Sequence, residues 1–397
     1  MFKPARVALA IGSFALLTGA SLPAALADSD GADIVGHVYV NDNTAPANTI
    51  GAFDRHANGQ LTPTPGSPFP TGGGGAGTII GSQGSLQLSA DGHFLLAADA
   101  GSNQISVLRI GPGGALHAVP GGPVASGGIQ PISIAVHSDL VYVANEGNGT
   151  TGSNYTGFRL ASNGVLKPLS QSTVALPPTA LPGDVLFNAT GTHLVGTEVG
   201  PSAGPSFIDS FDVGADGRLT PAPGSPFPAQ AVGPFGSEFR PTNPNELYVS
   251  NAHAGPNVGT VSAYAVSASG VLNPIGGSPF PDKQTAPCWV EITHDGRFLF
   301  TVNTAVPSIS RYRILANGAL DLLGSTVFND PTGLRPFDAR LDPTGSNLYV
   351  VDAGLGSVSA FAVDGGNLTE LDESPVALPT GATPFGLVVT RTSHDDR

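Results

Sequence analysis

The chain has 397 residues, of which 54 are Gly and 36 are Pro, while only 12% are charged and the net charge is −14. Such a composition describes many turns and few surface helices, and its acidity makes it a poor counterion for phosphate backbones, which argues against nucleic acid as a partner. The only cysteine, Cys288, can form no internal disulfide and excludes a multi-cysteine zinc site.

Residues Met1 to Ala27 have the plan of a secretory signal peptide: Lys3 and Arg6, then the mostly apolar run Val7 to Leu17, then Ala25-Leu26-Ala27 as a small-residue cleavage pattern. Cleavage there would remove two basic residues and no acidic one, taking the net charge from −14 to −16. A retained N-terminal anchor is the competing reading. No later run is long and apolar enough to span a bilayer, so a secreted, extracellular chain without a membrane span is expected. Residues 28–33 read as a short linker, 34–391 as one domain and 392–397 as a C-terminal tail.

From Ile34 onward one unit recurs seven times. Its plainest mark is a tight turn followed by leucine, from Asn58-Gly59-Gln60-Leu61 through Asp216-Gly217-Arg218-Leu219 to Gly365-Gly366-Asn367-Leu368. The leucines are Leu61, Leu116, Leu166, Leu219, Leu272, Leu320 and Leu368, spaced by 55, 50, 53, 53, 48 and 48 residues. Asn-Gly, Asp-Gly and Gly-Gly accept the positive φ of a hairpin turn. Two strands precede each turn. The first ends at Asp42, Asp99, Asn145, Glu198, Asn251, Asn303 or Asp352, and the second carries an aromatic or leucine column, Phe53 to Phe361. Residues Val261 to Val266 alternate with the period of two that a strand requires. A short outer strand follows, often closing with Gly-Ser-Pro-Phe-Pro, whose prolines suit an exposed edge.

The innermost strand of each unit opens at Pro131, Pro182, Pro234, Pro287, Pro336 or Pro384, with Gln83 as the exception. The ends are complementary. The first copy, Ile34 to Pro70, lacks an inner strand, and the last, Pro384 to Arg391, has nothing else. These observations predict an all-β fold, a seven-bladed β-propeller of four-stranded antiparallel blades, with the C-terminal inner strand joining the N-terminal blade. A solenoid is the alternative, but it would need capping ends rather than two complementary fragments.

Stretches such as Val290-Glu291-Ile292-Thr293-His294-Asp295-Gly296-Arg297-Phe298-Leu299-Phe300 and Leu341-Asp342-Pro343-Thr344-Gly345 give the blade text its character. With the endings Ala316-Asn317-Gly318-Ala319-Leu320 and Ser269-Gly270-Val271-Leu272, it resembles the propeller lactonase family of 6-phosphogluconolactonase and 3-carboxymuconate cyclase. It is also similar to secreted Tyr-Val-Thr-Asn repeat propellers. The first resemblance implies a lactone hydrolase or related cycloisomerase, and the second a noncatalytic extracellular binding or scaffold propeller. Lactonases of the family carry Arg and His just after the inner-strand proline of certain blades. The equivalent pairs here are Gly183-Asp184, Phe235-Gly236, Cys288-Trp289 and Phe337-Asp338, so no family catalytic residue carries over.

The inner strands offer a polar row instead. Four residues after the opening position stand Gln87, Glu238, Glu291 and Arg340, and two residues after it stand Asp184, Trp289 and Asp338. Positions two and four share a strand face, which predicts a row near the axis. In an enzyme, Glu291 would be the general base with its proton affinity raised by Glu238, and Arg340 would hold a carboxylate or oxyanion. Trp289, Asp338, Asp184 and Gln87 would then contact substrate. Alternatively, the charges form a buried inter-blade ion-pair cluster and Trp289 is packing. No cofactor or metal site is expected, since the nine histidines show no ligand spacing. Gly200-Pro201-Ser202-Ala203-Gly204 matches G-x-S-x-G but reads as a hairpin turn without the helix that the motif needs. The expected partner of the monomer is a small-molecule lactone or a cell-wall or other extracellular ligand.

Overall fold

The computed structural model describes residues 33–392. The signal segment 1–27, all but the last residue of the linker and residues 393–397 of the tail lie outside the described residues. Seven antiparallel sheets follow one another around a ring, and the one helical turn among the described residues is Pro112–Gly114. The ring closes as the complementary ends require. Strand Leu387–Val389 pairs with Ile34–Asn41 through Val38 to Val389, Tyr39 to Val388 and Val40 to Leu387.

Three strands of each blade are regular. The outer position is more broken than the repeat suggests: in blade 1, Leu61–Pro63 and Phe69–Pro70 both pair with Thr49–His56. Prolines between and within the two pieces supply no N–H to a continuous ladder. Blade 6, whose outer segment carries no proline, forms one strand, Leu320–Val327.

Neighbouring blades are joined by apolar packing and by a recurring hydrogen bond. Tyr39, Tyr142, Tyr248 and Tyr349 are fully buried. Each donates its hydroxyl to a turn carbonyl of the next blade, namely Gly114, Gly217, Gly318 and Gly59, always at 2.9 Å. The last of these joins blade 7 to blade 1. The seam is reinforced by Arg55, buried in blade 1, which donates to Asp342 of blade 7 at 3.1 Å and to the carbonyls of Val35 and Thr390. A side chain at Gly36 would meet the Thr390 carbonyl at 1.9 Å, so this clasp requires glycine there.

The acidic and amide column at the end of each second strand is buried throughout. Several of its members bind side chains of the following strand rather than local backbone. Asp99 accepts from Ser106 of that strand and also from Thr71 and Asn48 of blade 1, Asn251 donates to Ser262, and Asn303 donates to Ser310.

Candidate active site at the channel mouth

The inner strands start with an irregularity that alternation does not disclose. In blades 3 to 7 the register slips just after the opening proline, between Pro131 and Ser133, Pro182 and Asp184, and Pro287 and Trp289, with wider slips after Pro234 and Pro336. A bulge of this kind re-aims side chains. Position two consequently points into the walls between blades. Asp184 accepts from Ser237 N at 3.0 Å, from Ser237 Oγ at 2.6 Å and from Ser133 Oγ at 3.1 Å. Asp338 accepts from the Gly84 amide at 3.1 Å, and Trp289 lies edge-on to Phe337 with ring centres 5.3 Å apart. All three residues are buried. Burial raises the Asp184 carboxyl to about 6 against its serine donors, and likewise raises Asp338.

Position four brings Glu238, Glu291 and Arg340 together from three consecutive blades. They meet as a network. Arg340 donates to Glu291 Oε2 at 3.1 Å and lies 3.6 Å from Asp338, while Glu291 Oε1 accepts from the Leu341 amide at 2.8 Å. Both oxygens of Glu291 are therefore engaged. Burial raises Glu291 to about 6 and pushes Glu238 well up, with repulsion from Glu291 as the second cause. Glu238 Oε2 is buried without a partner. Gln87 occupies the same row, half-buried, with its amide beside Gly84.

Between this cluster and the strand starts, the axis is filled. The segment around Gln83, where the proline column fails, crosses the channel. The Gln83 amide donates to Gly183 O at 3.0 Å, its side chain donates to Ser237 O at 3.0 Å, and it accepts from Val290 N at 3.3 Å. The neighbouring Gly84 carbonyl accepts from Ile134 N at 2.9 Å. Any side chain at Gly236 would stand 2.0 Å from Gln83 Oε1. Together with the Asp338 bond, the segment ties itself to the inner strands of blades 3 to 7. Positions one to three thus form a plug, with the Glu291 network on one side and the strand starts on the other.

On the strand-start side lies a cavity of about 260 Å3, lined by Gly81, Glu146, Leu181, Pro182, Val199 to Ser202, Phe235 and His253. Its two ionisable residues break the repeat. The residue after the acidic and amide column is Asn43, Ala100, Glu146, Val199, Ala252, Thr304 and Ala353 around the ring. The next is Thr44, Gly101, Gly147, Gly200, His253, Ala305 and Gly354. Glu146 is the one acid of the first set and His253 the one ring of the second. Those columns were the signal available in the sequence, and they lie one and two residues beyond the column read there.

The surroundings set the protonation of both groups. Burial raises the Glu146 carboxyl, opposed by a hydrogen bond from the Gln130 amide. Burial lowers His253, keeping its imidazole neutral at pH 7. Its Nδ1 is buried without a partner, packed where Gly233 has no side chain, and its ring meets Phe235 edge-on at 6.2 Å. The rim is backed by strained backbone. Gln130, Leu181 and Ala286, each just before an inner-strand proline, hold φ of 54°, 46° and 58°. Such left-handed residues cost energy and persist only where their surroundings enforce them.

Comparison with known proteins supports the blade reading. A putative 6-phosphogluconolactonase from Bacteroides fragilis is 19% identical, with a TM-score of 0.68 over 92% of this chain and 99% of that one. A putative 6-phosphogluconolactonase from Bacteroides uniformis is 18% identical, with a TM-score of 0.71 over 90% of this chain and 100% of that one. The periplasmic gluconolactonase of Pseudomonas aeruginosa is 16% identical, with a TM-score of 0.67 over 90% of this chain and 100% of that one. At these identities the likeness is one of fold. No curated protein matches the chain. Residues 239–390 match the family described as "Lactonase, 7-bladed beta-propeller". That match covers the C-terminal blades, and the ring shared with the solved propellers makes the whole described chain a seven-bladed propeller of lactonase-like fold.

Proposed function

We propose that this lactonase-like propeller hydrolyses a lactone at the mouth cavity, and that it does so outside the cell after export by the segment Met1 to Ala27. The observation that carries the reading is the convergence of Glu146 and His253, each the exception in its column, on one cavity. Neutral His253 takes a proton from water as the water oxygen adds to the lactone carbonyl. The tetrahedral intermediate then collapses, breaking the ring C–O bond, and the imidazolium returns the proton to the ring oxygen to give a hydroxy acid. Glu146, held by Gln130, orients the water and stabilises the transient imidazolium. The Glu238, Glu291 and Arg340 network lies beyond the plug and serves to hold blades 5, 6 and 7 together.

The test is proton release from a panel of lactones by the full protein. His253→Gln is expected to lower kcat by about 10²–10⁴-fold, the usual contribution of a positioned base, and Glu146→Gln by a smaller factor. Since burial depresses His253, the acid limb of kcat/KM should fall below pH 6.5 rather than at it. Turnover by the wild type that survives His253→Gln would remove the mouth from the mechanism. A wild type inactive on every lactone would leave a binding propeller.

A further inference from the structure

The walls of the mouth cavity say which lactones fit. Leu181, Pro182, Val199, Pro201 and Phe235 are five of its ten lining residues, and no Lys or Arg is among the ten. The single charge-bearing carboxyl there is Glu146, so a phosphate or carboxylate on the ligand would face an acid with no counter-ion. The nearest basic group of the axial column, Arg340, is committed to Glu291 and Asp338 beyond the plug. A polyhydroxylated ring fares little better, because its hydroxyls would lose water against aliphatic side chains. The apolar character continues outward. Gly81 packs against Phe235, at 2.6 Å from its ring for a built Cβ, and Ile79, two residues earlier, is exposed. Val258, on the same connection as His253, is 51% exposed.

Leu181 is the most telling of these residues. A left-handed backbone is ordinarily given to Gly, Asn or Asp, yet this position spends a φ of 46° on a leucine that lines the cavity. At about 260 Å3 the space is just below the range of drug-sized pockets, which suits one small ring with a short arm.

Resting on the lactonase reading above, we propose that the substrate class is an uncharged lactone bearing an aliphatic side arm, which lies against Leu181, Val199 and Phe235 while its carbonyl faces His253. Sugar-acid lactones, phosphorylated or free, are disfavoured by the same walls.

The experiment compares γ-butyrolactone with γ-lactones of increasing alkyl length, and with gluconolactone and 6-phosphogluconolactone. Two readouts are taken on the full chain: proton release, and quenching of Trp289, the only tryptophan, which lies 6.0 Å from the Phe235 ring. Each added methylene is expected to raise kcat/KM about fourfold until the cavity is full, with quenching following the same order. Leu181→Asn, which suits the left-handed backbone, should flatten that dependence, with near-ultraviolet dichroism confirming the fold. Faster turnover of either sugar lactone, with a flat alkyl series, would overturn the substrate class and leave the lactonase reading standing. Length-dependent quenching without turnover would uphold the ligand class and overturn hydrolysis. Neither quenching nor turnover with any alkyl lactone would overturn both.

Discussion

Blade 4 carries a pair of acids that no other blade has, and replacing one of them should make the protein more stable in alkali. Glu198, of the acidic and amide column, faces Asp209 two positions along the next strand. The equivalents of Asp209 are Gly51, Ser106, Thr156, Ser262, Ser310 and Ser359. Both acids are buried, and Asp209 accepts from the Tyr155 hydroxyl of blade 3 at 3.0 Å. Burial first, then repulsion from Glu198, raises Asp209 from 3.8 to about 8, and burial raises Glu198 as well. A carboxyl whose folded pKa is raised contributes stability that is complete below its unfolded pKa and lost as pH climbs through the folded one. The window is therefore about pH 4 to 8. At about 1.4 kcal/mol per pH unit the ceiling is about 6 kcal/mol. The pair borders a groove of about 390 Å3 that admits water, so about 2–3 kcal/mol is the working expectation.

Asp209→Ser would install the hydroxyl that Ser106 uses to donate to Asp99 at 2.5 Å in blade 2. It would also leave Tyr155 without its acceptor, at about 1 kcal/mol. Urea unfolding at pH 4.5, 6, 7.5 and 9 measures the balance. The variant should be slightly less stable than wild type at pH 4.5 and about 2 kcal/mol more stable at pH 9, the curves crossing near pH 6. Parallel curves would refute the argument, because they would mean that the pair does not hold a proton in the folded state.

Two further outcomes follow from the axis. Gln83→Ala strands the Ser237 carbonyl and Val290 amide in a region where both residues are 0% exposed, so urea unfolding should show a loss of about 2–4 kcal/mol. Glu291→Gln discriminates between the two ends of the channel. Lactone turnover within about twofold of wild type is expected, and a loss of a hundredfold or more would move the chemistry to the far side of the plug.

The repeat was legible because strand alternation and turn residues are local. Gly-containing turns, the proline column and complementary termini were enough for seven blades and for their closure. The meeting of Glu238, Glu291 and Arg340 was also legible, since equal offsets on equivalent strands fall at equal depth. The bulge after the inner-strand proline of blades 3 to 7 was not, because it arises from pairing with the next strand and leaves the alternation of the text undisturbed. Gln83 stood out as an exception to the proline column, yet only the ring places it across the axis. Glu146 and His253 belong to connections, where no period constrains the residue. They become visible only when the blades are superposed and a single odd side chain is noticed among small ones.

The closure of blade 1 ties the molecule's assembly to its last residues. The amide of His37 bonds to the Thr390 hydroxyl across a separation of 353 residues. Strand Ile34–Asn41, though first among the described strands, waits with a bare edge until Leu387–Val389 arrives. Contacts so distant in sequence form slowly, and a bare strand edge pairs readily with another chain. A chain cut short by even ten residues would thus be an aggregation hazard rather than a slightly smaller propeller.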